Sequence, residues 1–221
     1  MAKYSICITH LNNGDTIEAS MASITGQIGM DYEVVVVDQG STDGSLQYLE
    51  RLASEGKIIL QRQKRHNRGA GRQLAFEKAS GEYIISNMDM DDTFRPFLKG
   101  LVAKYHSEFE GSVLRVKRSD GDYCGVTIFP RGVLKQVGGW RDLNWFEDVD
   151  IWIRCQRVCP FAEISYPVFV SRHKRKFTPV GRVRHSYVAF REGLRVGISR
   201  KITILNWPLY VVAWVVVRIA Y

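Results

Sequence analysis

Three acidic groupings in this chain have residue types and spacing that could do chemistry. The first is Asn87-Met88-Asp89-Met90-Asp91-Asp92, which follows the apolar run Tyr83-Ile84-Ile85-Ser86. Three carboxylates in four positions repel one another unless a cation or hydrogen-bond donors compensate. Asp89 and Asp91 are two apart, so a strand end can aim both at one point, and such oxygen ligands suit Mg2+ or Mn2+ bridging to a phosphate. The plainer alternative is an acidic turn that caps the next helix. The second grouping is Glu147-Asp148, preceded by Gly138-Gly139-Trp140 and Trp145-Phe146. Acids are favoured at a helix start by the helix dipole alone. A carboxylate desolvated among Trp140, Trp145 and Trp152, however, gains basicity and can act as a general base. The third is Asp38, at the end of Val34-Val35-Val36-Val37. A carboxylate there can accept hydrogen bonds from a nucleobase or ribose, or else cap its own turn.

Alternating strand and helix signals must position these groups. Tyr4–Thr9 reads as a first strand, and Asp15 or Thr16 can cap a helix running to about Ile28. The β-branched run ending at Asp38 lacks alternation, as expected of a strand covered on both faces. Gly40-Ser41-Thr42-Asp43-Gly44 turns into a helix carrying Leu46, Leu49 and Leu52. Ile58–Leu60, a helix from Asn67 to Ala79, and a strand over Glu82–Ser86 follow. Strands joined through single helices predict right-handed crossovers and a mainly parallel sheet, hence an α/β nucleotide-binding architecture. Beyond it the pattern predicts a helix over Arg95–His106, strands at Ser112–Lys117 and Tyr123–Phe129, and a helix over Phe146–Val158. A further strand is predicted at Ile164–Val170, on an edge because it contains Pro167.

The chain has 221 residues, 45% hydrophobic and 24% charged, which suits one folded domain rather than disorder. No signal-peptide pattern precedes the first strand. The four cysteines lack zinc-site spacing and are expected to be buried free thiols in a reducing compartment. The net charge of +8 is local, because ten Lys or Arg face one acid between Ser171 and Lys201. Such a tract suits an anionic membrane surface or a nucleic acid. The apolar tail and the acidic cluster argue against nucleic acid.

Taken together, these elements resemble the family 2 glycosyltransferases of the GT-A fold. The first strand with Thr9-His10-Leu11-Asn12 is similar to the family's strand ending in Pro-Thr-Tyr-Asn. Val34–Asp38 with Gly40-Ser41-Thr42-Asp43-Gly44 is similar to its Ser-Thr-Asp-Gly turn. Asn67-Arg68-Gly69, Gly81-Glu82-Tyr83-Ile84, the Asp-x-Asp of Asp89 and Asp91, and Glu147-Asp148 follow in the family's order. The resemblance covers roughly residues 4–173. It implies a single Rossmann-like domain with a mainly parallel central sheet flanked by helices. It also implies inverting transfer of a sugar from a nucleoside-diphosphate sugar, UDP favoured and GDP the alternative, with Mn2+ or Mg2+ as cofactor. Thr9, Leu11, Asn12 and Asp38 would then line the nucleoside pocket, and Arg72 would reach the base or phosphates. Asp89 would lie near the ribose and Met90 would join the donor-binding set, and Asp91, Asp89 and His173 would serve the metal, with His185 competing with His173. Asp148, with Glu147 beside it, would be the base. A sugar-1-phosphate nucleotidyltransferase would carry a Gly-rich basic loop after the first strand, which Thr9–Gly14 does not match. An inactive nucleotide-sugar-binding module is the other alternative.

The expected division is a glycosyltransferase domain over residues 1–175, with a nucleotide-binding half to about 92 and an acceptor half from about 93. Residues 176–221 form a basic and apolar helical extension. Its last 20 residues would extend about 30 Å as a helix. Asn206, Pro208 and Arg218 interrupt them, which favours an interfacial helix with Trp207, Tyr210, Trp214 and Tyr221 at the membrane surface. The tail thereby predicts a chain peripheral to the cytoplasmic face of a membrane, a glycan or lipid-linked acceptor, and, as the alternative use of the tail, a homodimer interface.

Overall fold

The protein is described by a computed structural model over residues 2–64, 67–117 and 125–172. His173, His185, Cys124 and the extension 176–221 lie outside the described residues. Five strands and three helices come first: β1 (Tyr4–His10), α1 (Ile17–Thr25), β2 (Tyr32–Asp38), α2 (Ser45–Ser54), β3 (Ile59–Arg62), α3 (Arg68–Lys78), β4 (Tyr83–Ser86) and β5 (Asp92–Phe94). They are followed by α4 (Leu98–Glu108), β6 (Val113–Lys117), β7 (Thr127–Pro130), α5 (Arg131–Gln136), α6 (Glu147–Cys155), β8 (Phe161–Ser165) and β9 (Phe169–Arg172). Seven strands form one sheet in the order β3-β2-β1-β4-β7-β6-β8, and β5 pairs with β9 separately. β1, β2, β3 and β4 run parallel, β7 is antiparallel to both β4 and β6, and β8 is parallel to β6.

The unalternating valines of β2 are explained by packing on both faces of this sheet. Val34 and Val36 join Ile6 and Ile8 of β1 in one core, against Ile17, Met21 and Ile24 of α1, Leu49 of α2 and Leu101 of α4. Val35 and Val37 join Cys7 in the other, against Ala75 and Phe76 of α3 and Ile151 and Trp152 of α6. Burial on both sides removes the polar positions that would have produced alternation. Cys7, Cys155 and Cys159 are free thiols, and burial pushes Cys7 and Cys155 up to about 12, so neither is a thiolate near neutral pH.

The predicted strand Ile164–Val170 is corrected to two strands in two sheets. Pro167 lies between β8 and β9, where its missing N–H interrupts no ladder. The helix predicted from Arg95 starts only at Leu98, behind Pro96, and Gln27 Oε1 accepts from the main-chain N–H groups of Phe97 and Leu98 at 2.9 and 3.0 Å. The helix predicted to reach Val158 ends at Cys155, and the short β5 and α5 had no periodic signal long enough to predict them.

Candidate active site

The chain winds outward from β1 to β2 and β3, then crosses back to place β4 on the other side of β1. Open α/β sheets bind ligands outside the carboxyl ends of the strands at such a switch point. His10, Asp38, Ser86 and Asn87 stand there. Three non-glycine residues in left-handed backbone conformation border the same edge: Asn12 (φ 52°), Asn87 (φ 68°) and Phe146 (φ 61°). Such conformations cost of order 1–3 kcal/mol each and cluster at functional sites.

On the β1 and β2 side the loops are laced together. Asn12 Oδ1 accepts from Thr42 N–H at 2.8 Å, Asn12 N–H donates to Ser41 Oγ at 3.0 Å, and Gly14 N–H donates to Asp43 Oδ2 at 2.6 Å. Asp38 is buried and its carboxylate accepts from Gly40 N–H, Ser41 N–H and Ser41 Oγ at 2.9, 3.0 and 2.5 Å. Of the two roles open to Asp38, it therefore performs the turn-capping one in this structure. Thr9 and Leu11 are half-buried beside it and Asn12 is exposed.

On the β4 side one guanidinium gathers the acids of two separate motifs. Arg72 of α3, 4% exposed, donates from Nη1 to Ser86 Oγ and Asn87 Oδ1 at 3.2 and 3.1 Å. Its Nη2 donates to Asp148 Oδ2 at 3.3 Å and lies 3.5 Å from Glu147 Oε1 and 3.9 Å from Asp89 Oδ1. Arg72, which the resemblance assigns to the base or phosphates, is turned toward these carboxylates in this structure. Burial, reinforced by the Asp148 charge, pushes the Glu147 carboxyl up to about 7 against the pull of Arg72 and Arg68. Burial also raises Asp148, with Arg72 opposing it. Both acids therefore keep their protons to higher pH than a free carboxyl, and Arg72 opposes that rise at each of them.

The acidic turn after β4 alternates. Met88, Met90 and Asp92 are buried, while Asp89 and Asp91 are half-buried on the other side of the alternation. Asp92 opens β5, and its N–H donates to the Asp89 carbonyl at 3.2 Å. The Met90 side chain is 1% exposed in the apolar core, and its carbonyl accepts from Thr16 Oγ1 at 2.8 Å, so only its main chain borders the turn. Among the described residues no group of three or more His, Cys, Asp or Glu gathers around one point. Two half-exposed carboxylates nonetheless fit Mg2+ or Mn2+, which commonly take one or two protein carboxylates and complete their shell with phosphate oxygens and water.

The loop 139–146 that delivers Glu147 and Asp148 is clamped to the start of α3. Gly69 N–H donates to Leu143 O at 2.8 Å, Asn67 Nδ2 donates to Asp142 Oδ1 at 2.6 Å, and Trp140 N–H donates to Gln73 Oε1 at 2.8 Å. A Cβ on Gly69 would overlap the Arg141 carbonyl oxygen and lie 2.9 Å from both Leu143 N and Leu143 O. Backbone on both sides leaves nothing flexible to yield, so Gly69→Ala should cost about 1–3 kcal/mol as overpacking. Thermal unfolding checks this, and an unchanged midpoint would show that the clamp is looser than drawn. Ser86, Asn87, Gly69 and Arg68 lie in the motifs quoted from the sequence but received no individual role there, although an asparagine directly after a strand is a signal for a left-handed turn.

The fold agrees with comparisons to known proteins. The model of "Glycosyl transferase family 2" matches residues 5–126, more than half of the chain. A cholesterol galactosyltransferase of Borreliella burgdorferi is 34% identical over 92 residues, covering 41% of this chain and 25% of that protein. The poly(ribitol-phosphate) beta-N-acetylglucosaminyltransferase TarS of Staphylococcus aureus is 27% identical over 141 residues, covering 62% and 24%. The chain thus spans about a quarter of the length of these relatives. Among solved structures, mannosyltransferase PcManGT from Pyrobaculum calidifontis, in complex with GDP-Man and Mn2+, superposes with a TM-score of 0.72 at 17% identity, covering 99% of this chain and 76% of that one. The mixed sheet flanked by helices is the GT-A fold, and the chain belongs to glycosyl transferase family 2.

Proposed function

We propose that the chain transfers a sugar from a nucleoside-diphosphate sugar to an acceptor hydroxyl, with inversion at the anomeric carbon. The observation that carries this reading is the convergence of Asp89, Glu147 and Asp148 within 4 Å of Arg72 at the switch-point crevice. Acids from the Asp-x-Asp turn and from the start of α6 meet there, so donor and base can act on one reacting centre. Asp148 is the base: it takes the proton of the acceptor hydroxyl as that oxygen attacks the anomeric carbon and the bond to the diphosphate breaks. Arg72 orients Asp148 and opposes the rise that burial gives its carboxyl, and Glu147, pushed up to about 7, limits the charge that Arg72 must balance. Asp89 and Asp91, with His173 from beyond the described residues, would hold a Mn2+ or Mg2+ ion, which when bound neutralises charge developing on the leaving diphosphate.

The nucleoside is held beside the laced β1 and β2 loops by Thr9, Leu11, Asn12 and Asp38, the last through the turn it shapes. UDP is the favoured leaving group and GDP the alternative; a structure of TarS 1-349 contains UDP and one of PcManGT contains GDP-Man. The basic tract and apolar tail support a membrane-proximal glycan or lipid-linked acceptor, at the cytoplasmic face. Among the described residues no helix is long and apolar enough to cross a membrane.

Calorimetric titration of UDP and GDP, each with and without Mn2+, tests the donor site. Metal-enhanced binding of one nucleotide is expected, and Asp91→Ala should weaken it by roughly 10-fold or more, since even outer partners of a bound metal cost that much. Equal affinity of the variant in Mn2+ would remove Asp91 from the site. Liposome binding of the full chain checks the membrane reading, and normal transfer to soluble acceptors without any lipid affinity would refute it.

A further inference from the structure

We propose that Arg68, held against Trp145, is an anion-recognition arm at the mouth of this site and binds a phosphate group through its guanidinium. The proposal rests on the donor-site reading above for its context, but the geometry is separate from the groups that reading uses.

Arg68 and Arg72 are four apart on α3 and therefore share a helix face. Both charges act on Glu147 and Asp148. Arg72 is buried and occupied by Ser86, Asn87 and Asp148. Arg68, one turn nearer the helix start, is only half-buried, and its guanidinium carbon lies 4.7 Å from the centroid of the Trp145 ring. Among the described residues it donates no hydrogen bond and forms no ion pair.

The other stacked arginines among the described residues show how unusual that is. Arg115 lies 4.5 Å from the Trp152 ring and pairs with Glu163 Oε1 at 2.9 Å. Arg131 lies over Phe76 and donates to the Gly81 carbonyl. Arg51 lies over Tyr48 and reaches Glu18 at 3.9 Å. Each of these has an oxygen partner on the protein, whereas among the described residues none takes the donors of Arg68, which leaves them for an oxygen that arrives from solution. A guanidinium stacked on an indole is held in direction while its edge stays open, and its fork matches phosphate oxygens.

Both partners are also rigidly placed. Arg68 begins the helix whose Gly69 N–H is bonded to Leu143, and Trp145 ends the loop that this bond clamps. Phe146, in its left-handed conformation, then turns the chain so that Glu147 and Asp148 point inward while Trp145 remains at the rim. A cation fixed above a floor of carboxylates offsets their repulsion of an incoming anion. The phosphate belongs either to the donor diphosphate or to a phosphorylated acceptor.

The test is calorimetry on the full chain with four probes: UDP, uridine, inorganic pyrophosphate, and glycerol 3-phosphate added to the UDP-saturated protein. Arg68→Ala is expected to weaken phosphate-bearing probes by about 10- to 100-fold, the loss of a charge-assisted hydrogen bond, with uridine unchanged. Trp145→Ala should lose affinity in the same direction and Trp145→Phe should keep most of it. A loss confined to UDP and pyrophosphate assigns the arm to the donor. A loss confined to glycerol 3-phosphate assigns it to the acceptor. Arg68→Ala binding every probe as the unaltered protein does would overturn the proposal. Arg68-dependent pyrophosphate binding without any nucleotide binding would keep the arm and sink the donor reading. Failure of the unaltered protein to bind any probe would overturn both.

Discussion

Asp148→Asn is expected to lower the transfer rate by about 10²- to 10⁴-fold, the range for loss of a general base, while nucleotide affinity stays nearly unchanged. The amide keeps the shape of the side chain and removes the group that takes the proton. Removing the Asp148 charge takes away one of the causes that hold the Glu147 carboxyl up, so Glu147, 3.5 Å from Arg72, ionises more readily in the variant and supplies the counter-charge. The measurement is the turnover rate at saturating donor, beside a calorimetric Kd for the nucleotide. Glu147→Gln is the necessary companion. It should leave much of the rate, because Glu147 holds a proton up to about 7 and is the weaker partner of Arg72. A fully active Asp148→Asn together with an inactive Glu147→Gln would transfer the role of base to Glu147.

Arg72→Met should destabilise the metal-free protein by about 3–5 kcal/mol near pH 8, since removing one partner from a buried pair strands the other charges. That is a large part of the 5–15 kcal/mol that typically holds a domain together. The penalty must depend on pH. A carboxyl raised in the folded state binds more protons folded than unfolded, so its stabilising contribution is complete below its ordinary value and is lost as pH rises through its folded value. For Glu147 that window runs from 4.5 to about 7. Without Arg72 both carboxyls rise further and stability falls more steeply over the same direction of pH. Urea unfolding at pH 5 and pH 8 in EDTA should therefore show a smaller deficit at pH 5. Arg72→Lys, which keeps the charge but loses the fork, should fall between. A deficit equal at both pH values would mean that Arg72 contributes packing rather than charge compensation.

The parts of this protein governed by local physics were legible in the sequence. The β-branched run of β2, the Ser-Thr-Asp-Gly turn and the apolar faces of α2 and α3 announce their conformations within a few residues, because steric preference and burial pattern act at short range. In the turn after β4 the burial of Met88 and Met90 against the half-exposed Asp89 and Asp91 continues a strand's period of two. Where prolines interrupted the pattern, the outcome depended on partners: whether Pro167 sat inside an edge strand or between two sheets was decided by which strands lay beside it.

What only the tertiary structure decided was which acids meet and what they meet. Arg72 and Asp148 are 76 residues apart, and no period in the sequence indicates that a crossover from β4 and a clamped loop bring them together. The same holds for Asp38, whose carboxylate is taken by its own turn, and for Met90, which the core claimed. It holds also for Arg68, whose stacking on Trp145, 77 positions along the chain, no local pattern indicates. Local sequence determines where chains of charge and apolar surface can lie. Burial and long-range pairing determine their ionisation, because desolvation and Coulomb terms depend on every group within a few ångströms, wherever it stands in the chain.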